Sequence, residues 1–462
     1  MKQAVIRSTW MEGYGYRLDC SPYLGGALET KVLLEKLPLR KDDLRDVTTG
    51  IYHAGRESRH WVDSPKYGVP FISSSDLQKA DLSDLPFISK KQVERTPLFI
   101  IKHGYTLITR SGTIGNMAYA RQDMDGMACS EHVLRIVPNT EKIPSGYLFA
   151  YLSSKFGVPL VVSGTYGSII QGLEPEHVAG LPVPRLGDSL EYEVHSLVEE
   201  AGELRKRASE EFRDAVADLE KAAGLPPSGE IQKSSHSLAV EVQSSELEGR
   251  LDTNFHRSYH YDAVRPYKSG GVKGRTVARA ANSIVEPTRF KRIEHNNAMG
   301  VPFFGTGNLG DIDPEPLYRI APFRDIDAYR VDERSVLVPR SGQIYGIIGR
   351  AFQPIGLVLK SAVTEDAIRV TCETPEQAGY IFLALRSECG LRQLKARCFG
   401  GSIPHLDVTH IGRVLIPDLG PKKERELGER ASRVAKLRSL AIEKETRARN
   451  LAEISIEAAG KE

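Results

Sequence analysis

No run of about 18 apolar residues, the length a membrane-spanning helix needs, occurs in this 462-residue sequence. No membrane association is therefore expected. The segment from Met1 to Cys20 has no apolar core of signal-peptide length, so a reducing cytoplasm is the expected compartment. Cysteine is scarce. Cys20, Cys129, Cys372, Cys389 and Cys398 form no C-x-x-C pair, and their odd number and irregular spacing argue against a zinc ribbon or a disulfide scaffold. Net charge is also small, because 62 Lys and Arg nearly cancel 60 Asp and Glu. The signs are partly segregated, however. Lys268, Lys273, Arg275, Arg279, Arg289, Lys291 and Arg292 stand against the single acid Glu286, which fits either a solvated loop or a nucleic-acid contact. The composition, 40% hydrophobic and 26% charged, is ordinary for a globular chain and excludes wholesale disorder.

What the sequence does contain is an internal repeat. Arg17-Leu18-Asp19 returns as Arg250-Leu251-Asp252, and Gly68-Val69-Pro70-Phe71 as Gly300-Val301-Pro302-Phe303. Arg110-Ser111-Gly112 returns as Arg340-Ser341-Gly342, Gly146-Tyr147-Leu148-Phe149 as Gly379-Tyr380-Ile381-Phe382, and Gly167-Ser168-Ile169 as Gly401-Ser402-Ile403. The offset is nearly constant and the order is kept, so the chain reads as two tandem copies near 1–225 and 226–462. Within each copy, short strands such as 106–109 and 335–338 come first. A helix with an aromatic face, a Gly-Ser-Ile loop and a short terminal strand follow.

Each copy then ends in a long helix. Leu190, Val194, Leu197, Ala201, Leu204 and Ala208 step by four and three, and after a stutter Phe212, Ala215, Leu219 and Ala222 resume the stripe. Leu427, Ala431, Val434, Leu437, Ala441, Ala448, Leu451, Ile454 and Ala458 make a less regular one. Dense charge on the other faces predicts a narrow buried seam, with each helix ~50 Å long at ~1.5 Å per residue. The expected fold is α+β: two pseudo-symmetric β-rich domains separated by two long helices in an antiparallel coiled coil.

The signatures of catalysis are missing. Phe304-Gly305-Thr306-Gly307 resembles the glycine loop of S-adenosylmethionine enzymes, but the first copy has Ile72-Ser73-Ser74-Ser75 there, without glycine. Ser269 to Thr276 is glycine-rich and basic yet is not a P-loop; it reads as a phosphate-touching loop or a plain surface loop. The 12 His show no metal spacing. His177 and His410 are repeat equivalents, as are Glu131 and Glu365, which favours structural roles for all four.

Taken together, these motifs resemble the specificity subunit of Type I restriction–modification systems. The resemblance rests on the early Arg-Leu-Asp, on Gly-Val-Pro-Phe with Asp76-Leu77 or Asn308-Leu309, and on Arg110 to Gly115. The late Gly-Ser-Ile loop, the Val-Pro or Ile-Pro strand and the long helix complete it. Pro184-Arg185-Leu186-Gly187 and Pro417-Asp418-Leu419-Gly420 depart from the family's usual Pro-Pro-Leu, and the second Arg-Ser-Gly continues Gln343-Ile344-Tyr345 rather than Thr-Ile-Gly. The resemblance implies a target-recognition domain at 1–187, a spacer helix at 188–224, a second target-recognition domain at 225–420 and a C-terminal spacer helix at 421–462. It implies no catalysis by this chain and no cofactor bound to it. S-adenosylmethionine is expected on partner subunits that methylate adenine, and double-stranded DNA is the other expected partner. Such systems often add a translocating nuclease subunit. A stand-alone DNA-binding protein and an interaction scaffold are the rival readings.

Shared features cannot distinguish two half-sites, so they are expected at phosphates or in the fold. Arg110 and Arg340, with Ser111, Thr113 and Ser341, fit a phosphate-contacting turn; an arginine pairing a buried acid is the other reading. Lys268, Lys273 and Arg275 are further candidates for DNA. Base readers are expected where the copies diverge, at Lys66 and Tyr67 against Asn296 and Asn297, and at Thr165 and Tyr166 against Cys398 and Phe399.

Overall fold

In the computed structural model, the described residues are 25–163, 172–228, 241–256 and 258–460, with three isolated positions before residue 25. Arg17 to Asp19 and Gly167 to Ile169 lie outside them. The chain divides into two compact units, 1–206 with 440–462, and 207–439.

The first unit opens with helix α1 (Ala27–Lys36) and strands β1 (Lys41–Asp43) and β2 (Thr48–Tyr52). β3 (Trp61–Val62), β4 (Gly68–Ile72), β5 (Phe87–Ser89) and helix α2 (Lys90–Arg95) follow. Next come β6 (Thr106–Thr109), β7 (Met117–Tyr119), β8 (Ala128–Cys129) and β9 (Val133–Pro138). Helices α3 (Ser145–Leu152), α4 (Gly157–Ser163) and α5 (Pro175–Ala179) lead to β10 (Pro182–Pro184) and the long helix α6 (Asp188–Ala223). One sheet runs β2-β9-β6-β7, a second runs β3-β5-β4-β8, and β1 pairs with β10.

All four residues of β6 are buried, as its unbroken Thr-Leu-Ile-Thr suggests. β9 reads equally apolar except for Arg135, which is fully buried. Its guanidinium donates to the carbonyls of Ser130, Val133, Phe99 and Cys129, so the charge holds loop backbone in place of water. Helix α3 is buried on every side, and Tyr147 donates its hydroxyl to the Pro184 carbonyl. Gly146 is required there: a Cβ would lie 2.9 Å from the Cα of His195 on α6.

The second unit follows the same order. Helix α7 (Ser258–Lys268), β11 (Gly274–Thr276), α8 (Val277–Ala280) and β12 (Ser283–Val285) precede β13 (Val301–Phe304) and β14 (Tyr318–Ile320). β15 (Ser335–Pro339), β16 (Ala362–Val363), β17 (Ala367–Thr371), α9 (Pro375–Arg386), α10 (Glu388–Arg397) and α11 (Val408–Gly412) come next. β18 (Leu415–Pro417) and helix α12 (Pro421–Ala458) close it. The sheets are β12-β17-β15, β14-β13-β16 and β11-β18. Arg369 takes the place of Arg135 and donates to the carbonyls of Tyr329 and Val363; burial pushes its pKa down to about 10. Tyr380 donates to the Pro417 carbonyl at 2.8 Å, as Tyr147 does to Pro184.

Both units use part of each long helix. In the first, Lys444 pairs Glu200 at 2.5 Å, and Arg205 and Glu445, both buried, form an ion pair. In the second, Arg430 bonds Glu211 at 2.8 Å and also pairs Asp218, while Arg438 lies 5.7 Å over Phe212. The two helix segments therefore run in opposite directions there. The stripes read from sequence need correction at several positions, and Ala222 and Ala458 at the helix ends are exposed. Leu204 is only half-buried, because Arg205 occupies the interior beside it. Ile454 is 62% exposed, and the buried line at the end of α12 is Ala448, Ala452 and Ile456. These three face the core of the first unit, where α3 and α4 also pack, so the wider core sets which face is covered.

Candidate nucleic-acid interface

In the first unit the candidate surface is the rim of the β3-β5-β4 sheet. Trp61 pairs Ile88 and Gly68 pairs Ser89. Gly68 has no alternative, since a Cβ would lie 2.7 Å from the Cγ2 of Val62 and closer still to the Cβ of Phe87. Just outside this tight crossing stand Trp61, 50% exposed, and Tyr67, 60% exposed. Lys66 sits 5.3 Å over the Tyr67 ring, and the Lys90 ammonium donates to the Lys66 carbonyl at 3.0 Å. Gln92 fixes the approach to the rim, accepting from His60 N at 2.9 Å and donating to the Ser58 carbonyl at 2.7 Å. Aromatic faces alternating with ammonium groups can stack on bases and neutralise phosphates.

Behind the rim, Arg59 lies 4.9 Å over Phe71 and donates to Glu131 at 2.8 Å. Burial works against ionisation of Glu131, but Arg59 overcomes it and holds the carboxyl below its usual range. The second unit repeats this trio. Arg292 lies 4.7 Å over Phe303 and pairs Glu365, whose pKa is also lowered: burial opposes, while backbone bonding and Arg292 prevail. Sequence reading noted Glu131 and Glu365 and counted Arg292 within the basic run, but missed Arg59 and its equivalence to Arg292. These two arginines are themselves repeat equivalents, and extending the repeat would have exposed them.

On this shared base the exposed residues differ. Glu294 bridges Ile320 in the second unit where Trp61 pairs Ile88 in the first. Met299, 75% exposed, precedes Gly300 as Tyr67 precedes Gly68. Asn296 and Asn297 are exposed, with the Asn296 Oδ1 accepting from Arg319 N at 3.0 Å and the Asn297 Oδ1 accepting from Met299 N at 3.0 Å. The Asn297 oxygen is thus engaged within its own turn and the Asn296 oxygen across to β14, while the Asn296 NH₂ donates to Glu294 at 3.4 Å.

The Arg-Ser-Gly turns correct the phosphate expectation. Arg110 is buried: its Nε donates to the Leu173 carbonyl at 2.9 Å, and its guanidinium pairs Glu174. Arg340 is partly buried and donates to Glu286 at 2.6 Å. Ser111 bonds His132 at 2.7 Å, Ser341 bonds His405 at 2.8 Å, and Thr113 is exposed. Both arginines thus pair acids, the other reading the sequence allowed. The basic run also divides. Lys268 and Lys273 are exposed, with Lys273 2.9 Å from Asp418. Arg275 is drawn inward to Asp418 and Glu424, acids distant in the chain and so invisible to local charge counting. Thr165 and Tyr166 lie outside the described residues. His177 and Glu174 form a capping box at α5, and His410 N donates to Asp407 at 2.8 Å at the start of α11. Among the described residues no cluster of His, Cys, Asp or Glu could hold a metal ion, and no helix is long and apolar enough to cross a membrane.

Residues 44–172 match the family described as the Type I restriction modification DNA specificity domain. This bears out, over that stretch, the resemblance read from the motifs. No curated protein matches the sequence. The chain is similar at 10% identity to the S subunit of a Type I restriction-modification system from M. genitalium, with 92% of this chain and 96% of that one covered and a TM-score of 0.33. It is similar at 17% identity to the HsdS subunit from Thermoanaerobacter tengcongensis, covering 92% and 97%, with a TM-score of 0.27.

Proposed function

We propose, from the premise that residues 44–172 are a DNA specificity domain, that the whole chain is the non-catalytic DNA-reading subunit of a Type I restriction–modification complex. One observation carries the extension to both halves. The trio Arg59-Phe71-Glu131 returns as Arg292-Phe303-Glu365, while the exposed residues mounted on it change from Trp61, Lys66 and Tyr67 to Glu294, Asn296 and Met299. A constant scaffold under a variable surface is what reading two different half-sites requires. Residues 1–187 and 225–420 are the two target-recognition domains in this reading. Helices α6 and α12, of 36 and 38 residues, serve as an antiparallel coiled-coil spacer, which suits a bipartite site with an unread gap. Methyltransferase subunits carrying S-adenosylmethionine, and in a full restriction system a translocating nuclease, are the partners. The chain itself binds no cofactor.

The test is a domain exchange in the assembled complex. Replacing residues 21–185 with the equivalent region of a related protein should change one half of the methylated site and preserve the other. A change in both halves, or methylation of DNA by the isolated chain, would overturn the reading.

A further inference from the structure

The two Arg-Ser-Gly turns diverge beyond their shared glycine. In the first unit the turn returns at Gly115, which has φ +91° and where a Cβ would lie 2.6 Å from the Cγ2 of Val162. No side chain fits there. The structural counterpart of Gly115 in the second unit is Gly349, which has φ +71° and whose N donates to the Pro339 carbonyl as Gly115 N does to that of Thr109; the second turn is therefore four residues longer, and it carries Tyr345, which is 94% exposed.

A large side chain exposed singly is ordinary on a protein surface, and it becomes informative only when the backbone that presents it is held. Here the backbone on both sides of the ring is fastened. The Lys395 ammonium donates to the carbonyl of Ile344 at 2.5 Å and to that of Gly346 at 2.8 Å, gripping the residues on either side of Tyr345. Gly346 N closes a turn onto the Gln343 carbonyl at 2.8 Å. At the base of the loop, Gly342 N donates to the Pro404 carbonyl at 3.3 Å and Ser341 bonds His405. The neighbouring loop carries Phe399, 40% exposed, and Ile403, 58% exposed, joined to the same base by the Phe399–His405 and Ser341–His405 bridges.

We infer that Tyr345 is a preorganised wedge that stacks against a base step of the duplex in the half-site read by the second unit. The inference rests on the reading of this chain as a DNA-recognition subunit. A fixed backbone lowers the ordering cost when the ring docks. A ring projecting this far from a fastened turn can enter a gap between base pairs and part them. Because the shorter turn of the first unit has no counterpart of Tyr345, the wedge acts on one half-site only.

The experiment uses the full chain and a pool of random 30-base-pair duplexes, from which wild type selects its preferred sequence. That duplex is remade with 2-aminopurine at successive positions. Wild type and Tyr345→Phe should raise the fluorescence at one step in a single half-site, and Tyr345→Gly should not. Tyr345→Gly should also bind the selected duplex more weakly, on the order of ten-fold. It removes no phosphate contact, so the slope of affinity against salt should be unchanged. Equal affinity and equal fluorescence for wild type and Tyr345→Gly would overturn the wedge alone. So would a Tyr345→Gly chain that keeps its DNA binding but loses a co-purifying methyltransferase, which would make the ring a protein contact. Failure of wild type to select any duplex would overturn the DNA-reading premise and the wedge with it.

Discussion

Arg185 bonds Asp42 at 3.0 Å beside the β1–β10 pair, and in the second unit the same two positions carry the opposite charges. Asp42 corresponds to Arg275 and Arg185 to Asp418 in the repeat, and that pair closes at 3.1 Å beside β11 and β18. The third member does not change: Glu191 receives Arg185 at 2.8 Å, and Glu424 receives Arg275 at 2.5 Å. Glu191 and Glu424 also accept from Leu186 N and Leu419 N, which anchors the start of each long helix to the sheet. The chemistry requires one arginine between two acids and is indifferent to which strand supplies it. Asp42→Arg should destabilise the protein by about 1–3 kcal/mol, as loss of the acid from a partly buried, hydrogen-bonded pair does. Adding Arg185→Asp should recover most of that in urea unfolding. No recovery in the double variant would show that the two arrangements are not interchangeable.

Arg110→Ala tests the correction at the first turn. Removal of a buried guanidinium strands the Leu173 carbonyl and Glu174, so a loss of about 3–5 kcal/mol of stability is expected. Where the variant remains folded, the salt dependence of DNA binding should keep its slope. A flatter slope at full stability would return Arg110 to the phosphate role.

Lys66→Ala and Lys90→Ala should behave in the opposite manner. Both side chains are exposed at the rim, so stability should stay within ~0.5 kcal/mol. Binding should weaken at all sequences alike, with the salt slope falling by about one for each phosphate no longer neutralised. Trp61→Ala should weaken binding without altering that slope. Titrations at several salt concentrations separate the two effects.

The ion pair between Arg205 and Glu445 makes a prediction about the long helices. Burial works against ionisation of Glu445, yet Arg205 and Arg449 hold its pKa below the usual range. Glu445→Leu alone should cost about 3–5 kcal/mol, because Arg205 is buried beside it. The double change to leucine at both positions should be neutral or stabilising in thermal melts. A double variant as unstable as the single would assign the pair a role that apolar packing cannot replace.

His260 gives a pH signature. It is buried, its ring lies 4.5 Å from Phe255, and its Nδ1 has no hydrogen-bond partner among the described residues. Burial first and Arg397 next push its pKa down to about 3. The unfolded chain therefore takes up this proton before the folded one. The stabilisation is complete above about pH 6.5 and is lost progressively as pH falls toward 3. His260→Phe should flatten the stability profile between pH 6.5 and 4 relative to wild type, measured as urea midpoints. An unchanged profile would show that His260 does not titrate in that window.

Much of the local plan was legible because it depends on short-range rules. Gly146 and Gly379 mark close approaches of helix to helix, and Gly68 and Gly300 mark crowded strand crossings. Glycine at such places cannot be replaced, so it survives in both copies and reveals the repeat. The candidate surface was only half legible. Lys66 and Tyr67 were found because they flank a shared landmark, whereas Trp61 and Lys90 reach the same rim through the pairing of β3 and β4 with β5. The arginines were the least legible residues, since an arginine in sequence has no visible partner.

The duplication, the order of strands and helices in each copy, and two long helices with apolar stripes were all readable from the residues alone. Repetition and helical period are properties of neighbouring residues, and they need no tertiary contact to be seen. Which cations are buried depends on folding. Arg110, Arg135, Arg205 and Arg369 are held by acids or carbonyls brought to them by folding, while Lys66 and Lys90 stay at the surface. A charge is tolerated in the interior only where folding supplies its partners, and those partners lie as far off in the chain as Glu445 does from Arg205.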